Sequence, residues 1–429
     1  MSGRGKGAWP AVEGRARARR WLWLPILLLV LAATPAVITR VKVHQLREKE
    51  RALTEAKPKR MSGRAIPLCA GLTIVTAVSQ PDGDYESIKT IESVTSNAVR
   101  LRYSSEHMVS DLFDAPRFER QVTHRTILRD DLRSAKLYLY DFYGLLPETI
   151  PGTTAIGTST AVLQALETSG KIEFGVFQGF NGAPTLDRND HPNVYDFMMP
   201  DTLRRVGSTP VMIPVLVDAA PAELPAIRAR ATFTWNSDEF YFLDNLDNPI
   251  SLEFHLGVGA AIPMSEEEAK SVAMPAVKAG SDLAEVQVTK IGTRCTNGQS
   301  LGGADLQSTL ERTLANHDPA DIYDIHFTFN SDSIRAESEP RLAEIGDVLL
   351  RHPEWKLVVQ GHTDSIGDDA SNLRLSEQRA AALKAALVDR YAIAPGRLTT
   401  EGYGRTRPRD TNATLKGRTR NRRVELVRQ

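Results

Sequence analysis

The chain has 429 residues, and its 53 Lys and Arg balance its 53 Asp and Glu, so the formal net charge is zero. This balance gives no bulk attraction to nucleic acid, and no nucleic-acid partner is predicted. A hydrophobic fraction of 41% and a charged fraction of 25% are typical of a globular protein and exclude a wholly disordered chain. A chain of this length predicts about two to three domains.

The N-terminal segment predicts that the chain is inserted into a membrane or exported across one. Residues 1–20 are basic and are expected to stay in the cytoplasm, and Trp21–Ile38 is an uncharged run just long enough to cross a bilayer. We therefore expect an N-terminal membrane helix or signal anchor at residues 21–38, with the bulk of the chain outside the cytoplasm. A cleaved signal peptide that ends near Thr34–Ala36 is the alternative. Residues 39–64 follow as a charged stalk.

The middle region, residues 65–296, predicts a strand-rich α+β domain of no family that we can name. Short apolar or alternating segments favour strands. The predicted strands are Ala70–Val78, Ala98–Tyr103, Lys136–Tyr140, Lys171–Phe177, Val211–Val217, Glu239–Leu243 and Ile250–Leu256. A turn-rich loop between the last two predicts a hairpin. Helices are predicted at Ser159–Thr168 and Ser265–Ala273.

The middle region contains no motif that indicates catalysis or metal binding. Its histidines lack the spacing of metal ligands, and it contains no phosphate-binding glycine loop and no nucleophile motif. We therefore predict no enzymatic activity, no cofactor and no metal site.

The chain has two cysteines, Cys69 and Cys295. In an exported protein they can form one disulfide, and closing a loop of that length would stabilise the fold by about 4–5 kcal/mol in the chain-entropy model. The sequence does not show whether the two lie close together, so their pairing stays open.

A linker rich in Gly, Ser and Asn and a lead-in helix occupy residues 297–320, and a last domain follows at residues 321–429. Helices and strands alternate in this part of the chain, which predicts an α/β sandwich with helices on one face of a sheet. The predicted strands are Asp324–Phe329, Lys356–Gln360, Arg397–Glu401 and Arg423–Val427. The predicted helices are Leu306–Asn316, Glu337–Arg351 and Asn372–Tyr391. One stripe of the last helix is expected to face the sheet: Leu373, Ala380, Leu383 and Leu387.

A candidate ligand site lies around the start of that last helix. Asp364 follows an apolar strand and is expected at its exposed carboxyl end, while Asn372 and Arg379 lie seven residues apart, two turns along one side of the helix. Asp364 can pair with an ammonium group, and Arg379 can hold a carboxylate by two parallel hydrogen bonds. A free amino-acid head, with both charges on one carbon, would bridge them.

Residues from about Asp321 to Gln429 resemble the OmpA-like peptidoglycan-binding domain. The matching pieces, in family order, are Phe327–Asn330, Gly361–Asp364, Asn372, Leu375-Ser376, Arg379-Ala380, Gly402–Gly404 and Asn421–Glu425. As an ordered set over about a hundred residues these pieces are specific, whereas each alone is weak. The resemblance implies that Asp364 and Arg379 hold the free end of diaminopimelate in the cell-wall stem peptide, with Asn372 as the supporting amide. It assigns further supporting positions to Thr363, Leu375 and Arg422.

From these observations we expect a membrane-tethered, non-enzymatic protein that binds peptidoglycan without covalent attachment. It would link an envelope membrane to the cell wall, with its bulk in the periplasm and its middle region open to other envelope proteins. One alternative is a component of a flagellar-stator-like or transport complex, although Trp21–Ile38 holds no acidic residue for proton coupling. Another is a wall-acting enzyme in the middle region, which only its position and size favour.

Overall fold

The computed structural model describes residues 58–79, 84–109, 117–140, 146–177, 198–232, 237–258, 284–295 and 303–429. Residues 58–429 pack as one unit. Within the described stretches the strands form two sheets, one of 14 strands before residue 296 and one of four strands after it.

The larger sheet is built mostly from antiparallel neighbours. Its strands are β1 (Lys59–Arg60), β2 (Thr73–Ser79), β3 (Tyr85–Val94), β4 (Ala98–Val109), β5 (Arg117–Leu128), β6 (Leu137–Tyr138), β7 (Thr153–Thr154), β8 (Lys171–Phe177), β9 (Met198–Arg205), β10 (Val211–Val217), β11 (Ala220–Ala231), β12 (Ser237–Leu243), β13 (Ser251–Val258) and β14 (Ala284–Gly292). They pair in the order β5-β4-β3-β2-β14-β13-β12-β11-β9-β8-β6-β7, with β1 against β11 and β10 against both β11 and β14. Short connections between successive strands favour this antiparallel pairing.

Two apolar clusters form the core of the larger sheet. One includes Leu101 and Leu224, and the other includes Phe174 and Phe240 together with Leu163. Among the described residues of the middle region, two short helices accompany the strands: α1 (Arg129–Ser134) and α2 (Thr160–Thr168). The α2 helix contributes Leu163 to the second cluster. The side chain of Ser159 accepts a hydrogen bond from a backbone amide of its first turn, which fixes where that helix begins.

The structure confirms several of the predicted elements of the middle region. Strands β8 and β10 have the predicted bounds, and β12 pairs with β13 as an antiparallel hairpin in which Phe240 lies opposite Phe254. Helix α2 begins one residue later than predicted. The helix predicted at Ser265–Ala273 lies outside the described residues.

Cys69 and Cys295 form a disulfide, with their Cα atoms 5.6 Å apart. The bond joins the segment before β2 to the segment after β14, which are neighbouring strands of the sheet. The pairing that the sequence left open is therefore present.

The smaller sheet belongs to the C-terminal domain. Its strands are β15 (Ala320–Ile322), β16 (Leu357–Gly361), β17 (Leu398–Gly402) and β18 (Val424–Arg428), in the order β15-β18-β16-β17. The β16–β17 pair is parallel and the other two pairs are antiparallel. The accompanying helices are α3 (Gly303–Ala315), α4 (Glu339–Arg351), α5 (Asp369–Tyr391) and α6 (Leu415–Asn421).

Helix α5 packs closely onto this sheet. Asp368 caps its first turn by accepting a hydrogen bond from the Ser371 amide at 2.9 Å. A Cβ atom placed on Gly361 would lie 2.0 Å from the carbonyl oxygen of Ser376, so only glycine permits this approach. The closeness of helix and strand sets the position of the residues that follow Gly361.

Two predictions for the C-terminal domain are wrong. Asp324–Phe329 is not a strand, because the backbone folds back there: the Arg335 amide donates to the His326 carbonyl, and the strand forms earlier, as β15. Leu373 is 44% exposed rather than buried. The inward stripe of α5 runs through Asn372 and the residues four and eight further on, and Leu373 is turned about 100° away from it.

The predicted fold class also needs correction. Across the described stretches, no helix is both long and apolar enough to pass through a membrane. The membrane helix predicted at Trp21–Ile38 falls on residues outside those stretches, and it is not supported. The fold is strand-rich, with a smaller α/β C-terminal domain.

Candidate functional site

A pocket of about 320 Å³ lies where the C-terminal domain meets the middle region. Every residue singled out from the sequence for ligand binding lines it: Thr363, Asp364, Asn372, Leu375, Arg379 and Arg422. The segment after β16 and the first half of α5 supply most of these side chains. The structure therefore brings together the residues that the sequence analysis placed in one site.

Asp364 is more enclosed than the sequence predicts. It is 7% exposed, although a carboxylate at the end of a strand was expected to face solvent. One oxygen accepts a hydrogen bond from the Ile366 amide at 2.9 Å, and the other accepts from Nη1 of Arg422 at 2.6 Å. The carboxylate is therefore held in one orientation by a loop amide and a guanidinium.

Asn372 and Thr363 shape the loop between β16 and α5. The Asn372 side-chain amide donates to the Ile366 carbonyl at 2.9 Å. The Thr363 amide donates to the carbonyl of Gly404 at 3.0 Å, and its hydroxyl donates to the carbonyl of Asp364. In this structure both residues hold the backbone around Asp364 in place.

Arg379 reaches the pocket from the third turn of α5. Its Nε donates to the Ser331 carbonyl at 3.0 Å, and its guanidinium carbon lies 5.0 Å from the centre of the Phe327 ring. Among the described residues, no carboxylate lies within 4.0 Å of this guanidinium. Burial, and then the charge of Arg422, lower the pKa of Arg379 to about 10, so it stays protonated at neutral pH.

Arg422 contacts several charged side chains of the site. Besides Asp364, it contacts the hydroxyl of Thr419 at 2.8 Å, Glu86 at 3.5 Å and Asp84 at 3.8 Å. Burial lowers the pKa of this guanidinium, but the Glu86 and Asp364 carboxylates outweigh that effect and raise it. The sequence analysis gave Arg422 a supporting position only.

The middle region supplies part of the pocket, which the sequence analysis missed. The contributing residues come from β3, β4, β14 and the position just before β3: Asp84, Tyr85, Glu86, Glu106 and Lys290. Burial raises the pKa of Glu86, but Lys290, His326 and Arg422 together bring it well below the ordinary value, so Glu86 is ionised. No local pattern points to these residues, because their pocket partners are hundreds of positions away.

His362, the residue that follows β16, lines the pocket and packs against Tyr403. It is 2% exposed, its ring stacks on Tyr403 with centroids 5.5 Å apart, and its Nε2 lies 3.7 Å from Glu425. Burial, and then the charge of Arg423, lower the pKa of His362 to about 2, so the ring is neutral.

Residues 326–422 match the model of the OmpA family. The C-terminal domain is an OmpA-like domain. The resemblance inferred from the motifs is thereby confirmed.

Curated relatives and a solved structure overlap this domain. Outer membrane porin F of Pseudomonas aeruginosa is 32% identical over 194 residues, which cover 44% of this chain and 53% of that protein. Outer membrane protein A of Bordetella avium is 40% identical over 103 residues, 24% of this chain and 53% of that protein. The chain thus spans about half the length of these two relatives. The peptidoglycan-associated lipoprotein of Burkholderia pseudomallei, a crystal structure, is 28% identical, covering 24% of this chain and 88% of that one, with a TM-score of 0.23.

Proposed function

We propose that the chain binds peptidoglycan without covalent attachment through its OmpA-like domain and acts as a wall-anchoring protein of the cell envelope. The family match over residues 326–422 and the relatives named as outer-membrane proteins support this proposal. Binding of this kind requires complementary charge in a fixed geometry and no activated nucleophile. Contact between the middle region and other envelope proteins stays a prediction.

We infer that the ligand is the free amino-acid end of diaminopimelate in the stem peptide. The observation that carries this inference is Arg379, whose guanidinium lies in the pocket with no carboxylate within 4.0 Å among the described residues. Its Nε is already used by Ser331, so the two terminal nitrogens are left to hold a ligand carboxylate. Asp364, on the same pocket, would then accept the ligand ammonium.

The fixed position of Arg379 supports a binding role. The carbonyl of Ser331 and the ring of Phe327 hold the guanidinium in one plane before any ligand arrives. A side chain that is already ordered loses less entropy when it binds, so more of the contact energy appears as affinity.

Substitutions at Arg379 test this proposal. Arg379→Ala removes a charge-assisted contact worth about 1.5–3 kcal/mol, so affinity for a diaminopimelate-containing stem peptide should fall about ten- to a hundredfold. Arg379→Lys should also weaken binding, because an ammonium cannot donate two parallel hydrogen bonds in a fixed plane. Binding of the full chain to the stem peptide by calorimetry, and sedimentation with purified peptidoglycan, measure both effects.

Arg374 offers a matched control on the same helix. It is exposed, contacts Ser371, and does not line the pocket. Arg374→Ala should bind as the wild type does. Equal affinity in Arg379→Ala and Arg374→Ala would remove Arg379 from the ligand site.

A further inference from the structure

The middle region forms one wall of the ligand pocket, and Glu86 is its central charge. Both oxygens of Glu86 lie 3.3 Å from Nζ of Lys290, and one lies 3.5 Å from Arg422. His326 of the C-terminal domain approaches the same carboxylate at 3.7 Å. Glu86 is thus shared between a lysine of its own sheet and two groups of the OmpA-like domain.

Contacts outside this cluster hold the wall in place. Arg102 pairs with Glu337 at 2.9 Å, and Nη2 of Arg335 donates to the hydroxyl of Ser104 at 2.7 Å. Glu106 accepts a hydrogen bond from the Phe329 amide at 3.1 Å. Charge-assisted hydrogen bonds of this kind are directional, so the wall has a defined position relative to Asp364 and Arg379.

The charge of Arg422 is divided between two carboxylates. Arg422 lies 2.6 Å from Asp364 and 3.5 Å from Glu86. If Arg422 faced Asp364 alone, the pair would be close to neutral and would attract a ligand ammonium weakly. Glu86 takes up part of the charge of Arg422, even though Lys290 neutralises part of Glu86, and the carboxylate of Asp364 therefore keeps part of its attraction for a cation.

We propose that Glu86 is a specificity-determining residue of the pocket, which makes the site prefer an amino-acid head whose amine is free. This inference rests on the proposed function, in which Asp364 takes the ammonium. Glu86 acts through Arg422 and does not itself have to touch the ligand, so it is a positioning residue. The site is then composite, because the residue that sets its preference lies on β3 and the residues that hold the ligand lie in the OmpA-like domain.

The charges next to Glu86 predict in which direction each substitution should change the preference for a free amine. Lys290 neutralises part of Glu86 and therefore opposes its effect on Arg422. Asp84 is engaged with Arg418 and lies 3.8 Å from Arg422, so it adds to the negative side more weakly. Removing the Glu86 charge should thus lower the preference for a free amine, and removing the Lys290 charge should raise it.

The measured quantity is the amine preference of the full chain. It is the affinity for a diaminopimelate-containing stem peptide with a free distal amine, divided by the affinity for the same peptide with that amine acetylated. Glu86→Gln should lower this ratio about three- to tenfold, the size expected for one partly screened charge. Lys290→Met should raise it. Both peptides require the folded protein, so a loss of folded molecules cancels in the ratio.

Glu337→Gln is the matched control. It removes a carboxylate that pairs across the same interface, through Arg102, but does not line the pocket. This variant should keep the wild-type ratio. An unchanged ratio in Glu86→Gln, or an equal change in Glu337→Gln, would overturn the inference.

The same experiment separates this inference from the proposed function. If the wild type prefers the free amine and Asp364→Asn abolishes the preference while Glu86→Gln does not, the proposed function stands and the role of Glu86 is refuted. If the wild type binds neither peptide, both are refuted. A lowered ratio in Glu86→Gln with a raised ratio in Lys290→Met supports both.

Discussion

Asp364→Asn isolates the charge of the carboxylate from its role in the loop. The asparagine oxygen can still accept the hydrogen bond that the Ile366 amide now donates at 2.9 Å. The negative charge that faces Arg422 at 2.6 Å is lost. Asp364→Ala removes both contacts, so comparing the two variants distinguishes the electrostatic effect from the loss of the loop bond.

The contacts of Asp364 and Arg422 determine how much stability and affinity Asp364→Asn should lose. Removing one partner of a fully buried ion pair costs about 3–5 kcal/mol. Arg422 is 22% exposed at its side chain and keeps Glu86 and Thr419, so we expect Asp364→Asn to lower the free energy of unfolding by about 1–2 kcal/mol. The ligand ammonium loses a charge-assisted partner, so affinity for the stem peptide should fall about ten- to a hundredfold.

Two assays on the full chain measure these effects separately. Urea unfolding gives the stability of the wild type, Asp364→Asn and Asp364→Ala, and calorimetry at a temperature where all remain folded gives their affinities for the stem peptide. Asp389→Asn is the control, because Asp389 is an exposed carboxylate near the end of the same helix. Wild-type affinity in a folded Asp364→Asn protein would refute the assignment of Asp364 to the ligand ammonium.

Two further predictions concern stability. The folded protein keeps His362 neutral down to a pKa of about 2, mainly through burial, whereas an unfolded histidine binds a proton below about pH 6.5; the unfolding free energy should therefore fall as pH drops below 6.5, by up to about 1.4 kcal/mol per pH unit. Urea unfolding from pH 7 to 5 should show a shallower slope for His362→Phe, and equal slopes would contradict this. Gly361→Ala places a Cβ 2.0 Å from the Ser376 carbonyl and should cost about 1–3 kcal/mol, whereas Gly396→Ala, with nothing within 4 Å, should be near neutral in the same assay.

The proposed ligand residues of the OmpA-like domain could be brought together from the sequence because they are close along the chain. A strand, a short loop and a helix place Asp364, Asn372 and Arg379 near one another through local geometry alone. Gly361 marks the point where the helix approaches the strand, and the structure shows that its missing Cβ is what allows the approach. Short-range sequence patterns were therefore sufficient to predict most of the residues that the OmpA-like domain supplies to the pocket.

Strand β11 shows why the middle region was predicted less completely. Its sequence includes Pro221 and Pro225, which lack a backbone donor and argue against a strand inside a sheet. In the structure both prolines nevertheless lie in register with β10, opposite Leu216 and Met212. Tertiary packing outweighs the local preference of proline here, and a single sequence does not reveal that.

The surroundings of Asp364 were mispredicted for a related reason. A carboxylate at the end of a strand is usually solvated. The family resemblance gave Arg422, 58 residues further on, a supporting position, but no local pattern shows that its guanidinium covers Asp364. Glu86 lies 336 residues before Arg422, in β3, a strand that the sequence analysis did not predict. Opposite charges that far apart in a chain can pair with many partners. Only the packing of the larger sheet against the C-terminal domain brings Glu86 and Arg422 together. The charged residues that the middle region supplies to the pocket therefore follow from the tertiary fold and not from a sequence motif.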